Sequence, residues 1–121
     1  MRIIRDYSFV NPADKGASVA IGNFDGVHIG HQKVIELAQK AGEKIDAPIG
    51  ILTFEPNPRE YFAPGSPSFR LMNSDARANR LEKRGIERLY EIPFNASLSA
   101  LTPEEFARNV IADDLGVRHV V

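Results

Sequence analysis

The chain has 121 residues, 43% hydrophobic and 26% charged, with a formal net charge of −1 from 15 basic and 16 acidic residues. That length fits one domain or a piece of one, and the balanced charge gives no global footprint for a nucleic acid or an anionic membrane. The absence of cysteine excludes disulfides, thiolate catalysis and Cys-ligated zinc; with no apolar run of signal-peptide or membrane-span length, a cytoplasmic location is expected.

The first strong pattern in the chain is Ser18 to Asn23, a short β-branched apolar run that predicts a buried strand. Phe24 to Gly30 is expected to be a loop. A helix follows, with Val34, Ala38, Ala41 and Ile45 at helical spacing and Ile35 and Leu37 widening the apolar stripe. Gly42 and Asp46-Ala47-Pro48 mark its end. Pro48 to Phe54 predicts a second buried strand. Glu55 to Phe69, rich in proline, reads as a long loop, and loops of this length in compact domains are commonly functional or disordered.

Ser74 can cap a helix running to about Arg84 and closed by Gly85. Arg77, Arg80, Lys83, Arg84 and Arg88 recur near helical spacing. A solvated face, balanced by Asp75, Glu82 and Glu87, is preferred over a phosphate or partner patch. Arg88 to Ile92 is expected to be a short strand. Thr102-Pro103-Glu104-Glu105 is a helix start, with Thr102 as N-cap, Pro103 at the first position and Glu105 completing a capping box. That helix is expected to turn Phe106, Val110 and Leu115 inward and to stop at Gly116. Val117 to Val121 begins another strand.

Strands alternating with helices predict an α/β fold, a parallel sheet with helices on its faces. Residues 1–121 read as one unit without repeats. The last strand reaches the last residue, so the chain is expected to be the N-terminal portion of a larger domain.

The segment richest in chemistry is Gly22-Asn23-Phe24-Asp25-Gly26-Val27-His28-Ile29-Gly30-His31. It leaves a strand and opens a helix, and in open α/β sheets ligands bind beyond the carboxyl ends of the strands. A helix N-terminus presents free N–H groups and the positive end of the dipole, so phosphate is the expected guest. Gly26 and Gly30 allow close backbone approach. His28 and His31 can share one side of the first turn, and His31 precedes Val34 and Ala38 on the inward stripe. Their imidazoles can donate hydrogen bonds to phosphate oxygens. A structural role is the competing reading, and a zinc site would need a third ligand that the spacing does not supply. His119 reads as a surface or strand residue.

The stretch GNFDGVHIGH resembles the signature of nucleotidyltransferases with an H-x-G-H motif. Its F-D-G-V-H form is similar to the FMN adenylyltransferase domain of bacterial bifunctional riboflavin kinase/FAD synthetases. Thr53-Phe54-Glu55-Pro56-Asn57-Pro58-Arg59-Glu60-Tyr61-Phe62 and Leu101-Thr102-Pro103-Glu104-Glu105-Phe106 resemble the same family, so the likeness spans essentially the whole chain. It implies a Rossmann-like parallel sheet with helices on both faces, lacking its C-terminal part. It implies transfer of AMP from ATP to FMN, giving FAD and pyrophosphate, with Mg²⁺ carried on the ATP and no metal held by the protein. His28 and His31 would be catalytic. Gly22, Asn23, Phe24, Asp25, Gly30 and His31 would bind ATP. Pro56, Asn57, Pro58 and Phe62 would border FMN. Neither nucleic acid nor membrane is an implied partner, and oligomeric state is not readable.

Two departures from the family stand out. Asn57 occupies a position where the family usually has histidine; it can donate a hydrogen bond but carries no charge. The later G-x-D-x-x-F-G and I-S-S-T-x-I-R segments and the riboflavin kinase domain are absent from these 121 residues. The alternatives are a related enzyme with another phosphorylated acceptor, such as phosphopantetheine or glycerol phosphate, a non-catalytic nucleotide-binding module, and a structural fragment.

Overall fold

The computed structural model of the chain describes residues 1–24, 29–56, 62 and 73–121. Five strands form one sheet: β1 (Arg2–Ile4), β2 (Ser18–Ile21), β3 (Ile49–Glu55), β4 (Arg88–Pro93) and β5 (His119–Val120). Their spatial order is β1-β4-β3-β2-β5, and every neighbouring pair is parallel. The helices are α1 (Ile29–Ile45), α2 (Ser74–Lys83), α3 (Ala96–Ser99) and α4 (Pro103–Glu105), the last running into π-helical Phe106–Asp114. No helix among the described residues is long and apolar enough to cross a membrane.

The connectivity dictates which face each helix covers. Parallel strands need crossovers, and these are right-handed. From β2 through β3 to β4 the chain steps one way across the sheet. It then doubles back past β2 to reach β5. A right-handed crossover in the reverse direction lands on the opposite face. Accordingly Ile35 and Ala38 of α1 and Leu81 of α2 pack with Ala20, Ile49, Ile51 and Leu89. Leu98 of α3, with Val110 and Leu115, packs with Val19, Leu52, Tyr90 and Ile92 on the other side. Successive strand residues thus alternate between two cores, and both faces are buried, so the strands read as continuous apolar runs.

The observed elements refine the sequence reading at several points. β2 ends at Ile21, although Gly22 N–H still donates to Leu52 C=O at 3.1 Å. The inner row of α1 is Ile35, Ala38 and Gly42, all buried, while Leu37 is 50% exposed; the stripe is narrower than the run of apolar residues suggests. The cap of α2 is Asn73 and not Ser74: its side chain accepts from Ala76 N–H at 2.8 Å. Gly85 follows that helix with φ of 85°, a conformation glycine adopts without strain. The Thr102 capping box is present, with bonds of 3.1 Å and 2.9 Å in the two directions. Beyond it the helix widens, so that Leu115 N–H bonds Val110 C=O at 2.8 Å, five residues back.

The strand β1 and the single turn α3 carry no clear sequence signal. β1 has three residues among charged neighbours and sits on the sheet edge. It is fastened at the amino end of the sheet by Asp14, whose carboxylate accepts from Arg2. The backbone carbonyl of Asp14 accepts from the buried Tyr90 hydroxyl at 2.6 Å.

Candidate functional site

The order in which the chain adds strands reverses at β2, with β3 on one side and β5 on the other. In parallel α/β sheets this switch point opens a crevice at the carboxyl ends of the strands. The residues leaving β2 there are Gly22, Asn23 and Phe24, and α1 begins at Ile29. Gly30 and His31 therefore lie in the first turn of α1, where backbone N–H groups lack helical acceptors.

Phe24 organises this bend. It adopts φ of 53°, the left-handed region, which is uncommon for a non-glycine residue. Its ring is 1% exposed. The ring centroid lies 4.8 Å from that of His31, the planes inclined by 42°. His31 itself is half-buried. Gly22 leaves room for the ring: a Cβ there would sit 3.0 Å from Phe24 Cε2, closer than an ordinary contact.

The neighbouring strand end holds Glu55 and Pro56, joined by a cis peptide bond. Phe94 N–H donates to Glu55 C=O at 3.2 Å, tying the ends of β3 and β4 together. On the α4 side of the sheet, aromatic rings continue from this corner. Phe54 packs edge-on against Phe94 at 5.5 Å and lies 5.8 Å from Phe106. Phe62 lies 5.8 Å from Phe94 at 73° and is 68% exposed. Phe62 is thus a surface-facing aromatic and not a core residue.

Asp25 and His28 of the expected nucleotide loop, and Asn57 and Pro58 of the expected flavin loop, lie outside the described residues. The described ones divide between two adjacent strand ends: Gly22, Asn23, Phe24, Gly30 and His31 after β2, Pro56 and Phe62 after β3. Among the described residues no group of three His, Asp or Glu gathers as a metal site. His119 is exposed in β5, its Nδ1 3.5 Å from Ser18 Oγ.

One residue corrects the sequence reading outright. Arg77, expected on a solvated face, is 2% exposed. Its Nη1 donates to the Asn23 carbonyl at 3.0 Å, and Nη2 donates to Glu55 at 3.2 Å, with Glu91 at 3.5 Å. Arg80, Lys83 and Arg84 do face solvent, and Arg88 belongs to β4, with Nε 3.5 Å from Asp14. Helical spacing groups these cations on paper; the signal that separates Arg77 is its place one turn before Leu81, the buried apolar residue of α2. Arg77 Nε and Thr53 Oγ1 are buried without a hydrogen-bond partner among the described residues, a condition that native interiors reserve for few places.

Fold and bend together define a Rossmann-like α/β domain in which Gly30 and His31 lie in the first turn of α1. The chain belongs to the FAD synthetase family, whose model matches residues 10–121. It is 33% identical over 120 residues to the bifunctional riboflavin kinase/FMN adenylyltransferase of Pseudomonas fluorescens, covering 99% of this chain and 38% of that protein. The protein of the same description from Escherichia coli K12 is 31% identical over 119 residues, with 98% and 38% covered. The chain thus spans well under half the length of these curated relatives. Among solved structures, one described as a macrolide-efflux protein from Streptococcus pneumoniae superposes with a TM-score of 0.76 at 29% identity, covering 98% of this chain and 46% of that one.

Proposed function

We propose that this chain forms the nucleotide-binding part of an FMN adenylyltransferase within a longer protein. The reaction joins AMP to FMN. A phosphate oxygen of FMN attacks the α-phosphorus of ATP, the bond from that phosphorus to the bridging oxygen breaks, and pyrophosphate leaves with the electron pair. FAD is the other product. Mg²⁺ enters with the triphosphate as part of the substrate. Family membership and the activity named for the relatives support the reaction class.

The observation that carries the proposal is the pairing of His31 with Phe24 where β2 passes into α1. An imidazole at a helix N-terminus adds a donor to a backbone already suited to anions. Negative charge grows on the departing pyrophosphate, and donors set in place beforehand stabilise it without reorganising. His28 is proposed to work beside His31. Asn23, Phe24, Asp25, Gly22 and Gly30 are proposed to shape the nucleotide pocket. No protein nucleophile is needed, because the acceptor brings its own oxygen; positioning supplies most of the remaining rate.

The adjacent strand end is proposed to receive FMN, with Pro56, Asn57 and Pro58 along the flavin. Phe62 is exposed beside Phe94 and offers an edge or face to an isoalloxazine ring.

The test uses the full-length protein with ATP, Mg²⁺ and FMN, following FAD by chromatography. FAD and pyrophosphate in equal amounts are expected. Reaction with CTP, or with a different phosphorylated acceptor, in place of any FAD would overturn the flavin assignment.

A further inference from the structure

We propose that Arg77 is a positioning residue that holds in register the two strand ends that lead toward the nucleotide and the flavin, at Asn23 and Glu55; this rests on the adenylyltransferase reading above. The helix that bears it is otherwise polar outside, with Asp75, Arg80, Glu82 and Lys83 all exposed. A guanidinium removed from water is costly unless its partners are well placed. Glu91 and Glu55 supply charge, but Glu91 is shared with Arg5, whose Nε donates to it at 3.1 Å.

The contact that a simple buried ion pair does not require is the third one. Arg77 Nη1 reaches the backbone carbonyl of Asn23 at 3.0 Å. Asn23 stands where the chain leaves β2 for the nucleotide loop. Glu55 is the last residue of β3, just before Pro56. The β2–β3 pairing register ends at Ile21↔Leu52, with one further bond from Gly22 to Leu52. That bond is the last β2–β3 backbone contact seen among the described residues, and the Arg77 fork reaches both chains beyond it, at Asn23 and at Glu55.

The consequence is geometric. The α-phosphorus and the attacking FMN oxygen must meet in line at roughly 3–3.5 Å, and a displacement of about 1 Å can lower the rate roughly a hundredfold. Separate binding of ATP or of FMN does not require the two strand ends to be in register; the in-line meeting of the reacting atoms does, and Arg77 sets that register at Asn23 and Glu55. A planar fork fixes the angle between two partners; an ammonium does not.

The experiment compares wild type, Arg77→Lys, Glu55→Gln and the double variant, all in the full-length protein. Formation of FAD by wild type is the control; its absence refutes the adenylyltransferase reading and not the role of Arg77 in particular. Thermal midpoints, the Kd of ATP alone, the Kd of FMN alone and kcat at saturation are then measured. For Arg77→Lys we expect kcat to fall about a hundredfold, with each separate Kd changed less than about threefold and the fold retained. Glu55→Gln should lose about tenfold, and the double variant should fall no further than Arg77→Lys alone, as for residues of one network. A folded Arg77→Lys protein with kcat near wild type, a loss confined to one substrate's Kd, or additive effects in the double variant would each overturn the proposal. If Arg77→Lys does not fold, Glu55→Gln decides: unchanged kcat there refutes the proposal.

Discussion

Phe24 and His31, seven residues apart in sequence, meet with ring centroids 4.8 Å apart across the bend from β2 to α1. The contact gives a reason for the left-handed backbone at Phe24, whose φ is 53°. That conformation turns the Phe24 ring under the first turn of the helix, where it backs the imidazole. Strain of about 1–2 kcal/mol at such a residue persists only when its surroundings fix it.

Phe24→Leu should therefore act on both stability and turnover. Loss of the ring leaves space beside His31 and should lower unfolding free energy by about 1–3 kcal/mol. Turnover should drop by more than the folded fraction accounts for. Denaturant titration alongside FAD formation by the full-length protein separates the two effects; turnover that tracks the folded fraction alone would show that the ring does not orient His31.

Gly42 tests the seating of α1 on the sheet. Alanine at a helix interior position is favoured over glycine by about 1 kcal/mol. Here a Cβ would lie 2.9 Å from the Ala47 carbonyl oxygen and 3.3 Å from Ser18 Cβ. Ser18 is pinned, donating from Oγ to the Ala38 carbonyl at 2.7 Å. Overpacking of about 1–3 kcal/mol should win, so Gly42→Ala is expected to lower the midpoint of thermal unfolding. A raised midpoint would mean the helix shifts freely.

Asn73→Ala should destabilise by about 1 kcal/mol, as expected for loss of a helix N-cap, whereas Ser74→Ala should change little. Urea unfolding of the two variants reads the difference directly. Equal effects would argue against Asn73 as the cap.

Tyr90 gives an alkaline signature. Burial pushes its phenol up to about 12 from 10.0, with Arg88 pulling it back and Asp14 raising it further. Because the folded value lies above the unfolded one, the fold favours the protonated phenol. Its contribution is full below pH 10 and is lost as pH rises from 10 through about 12. The total is about 2–3 kcal/mol at 1.4 kcal/mol per unit. Tyr90→Phe removes this dependence along with the hydroxyl bond to Asp14. The stability advantage of wild type over Tyr90→Phe should therefore shrink above pH 10; a difference constant to pH 12 would contradict the assignment.

Much of this architecture was legible in the sequence because its signals are local. The β-branched run at Ser18, the capping box at Thr102 and the helical spacing after His31 each fix an element within a few residues. The two-sided burial of β2, β3 and β4 removes period-two alternation, but their short apolar runs between turn residues mark them as strands. β1 was not legible, because three edge residues carry too little pattern to stand out from charged neighbours. Asn73 and Ser74 are both capping residue types, and only the helix start decides between them. The role of Arg77 is hidden for a deeper reason. Periodicity groups it with other cations, while its burial depends on Asn23 after β2, Glu55 at the end of β3 and Glu91 within β4. Long-range pairings of that kind leave no trace in local spacing.

The most direct measurement is the kinetic comparison of His31→Ala with wild type in the full-length protein. With His31 acting on the transferring phosphates, kcat for FAD formation should fall by about 10²–10³, while the Kd for FMN stays within about threefold and the fold is kept. Loss of FMN binding in step with turnover, or turnover close to wild type, would contradict the assignment of this imidazole to phosphate chemistry.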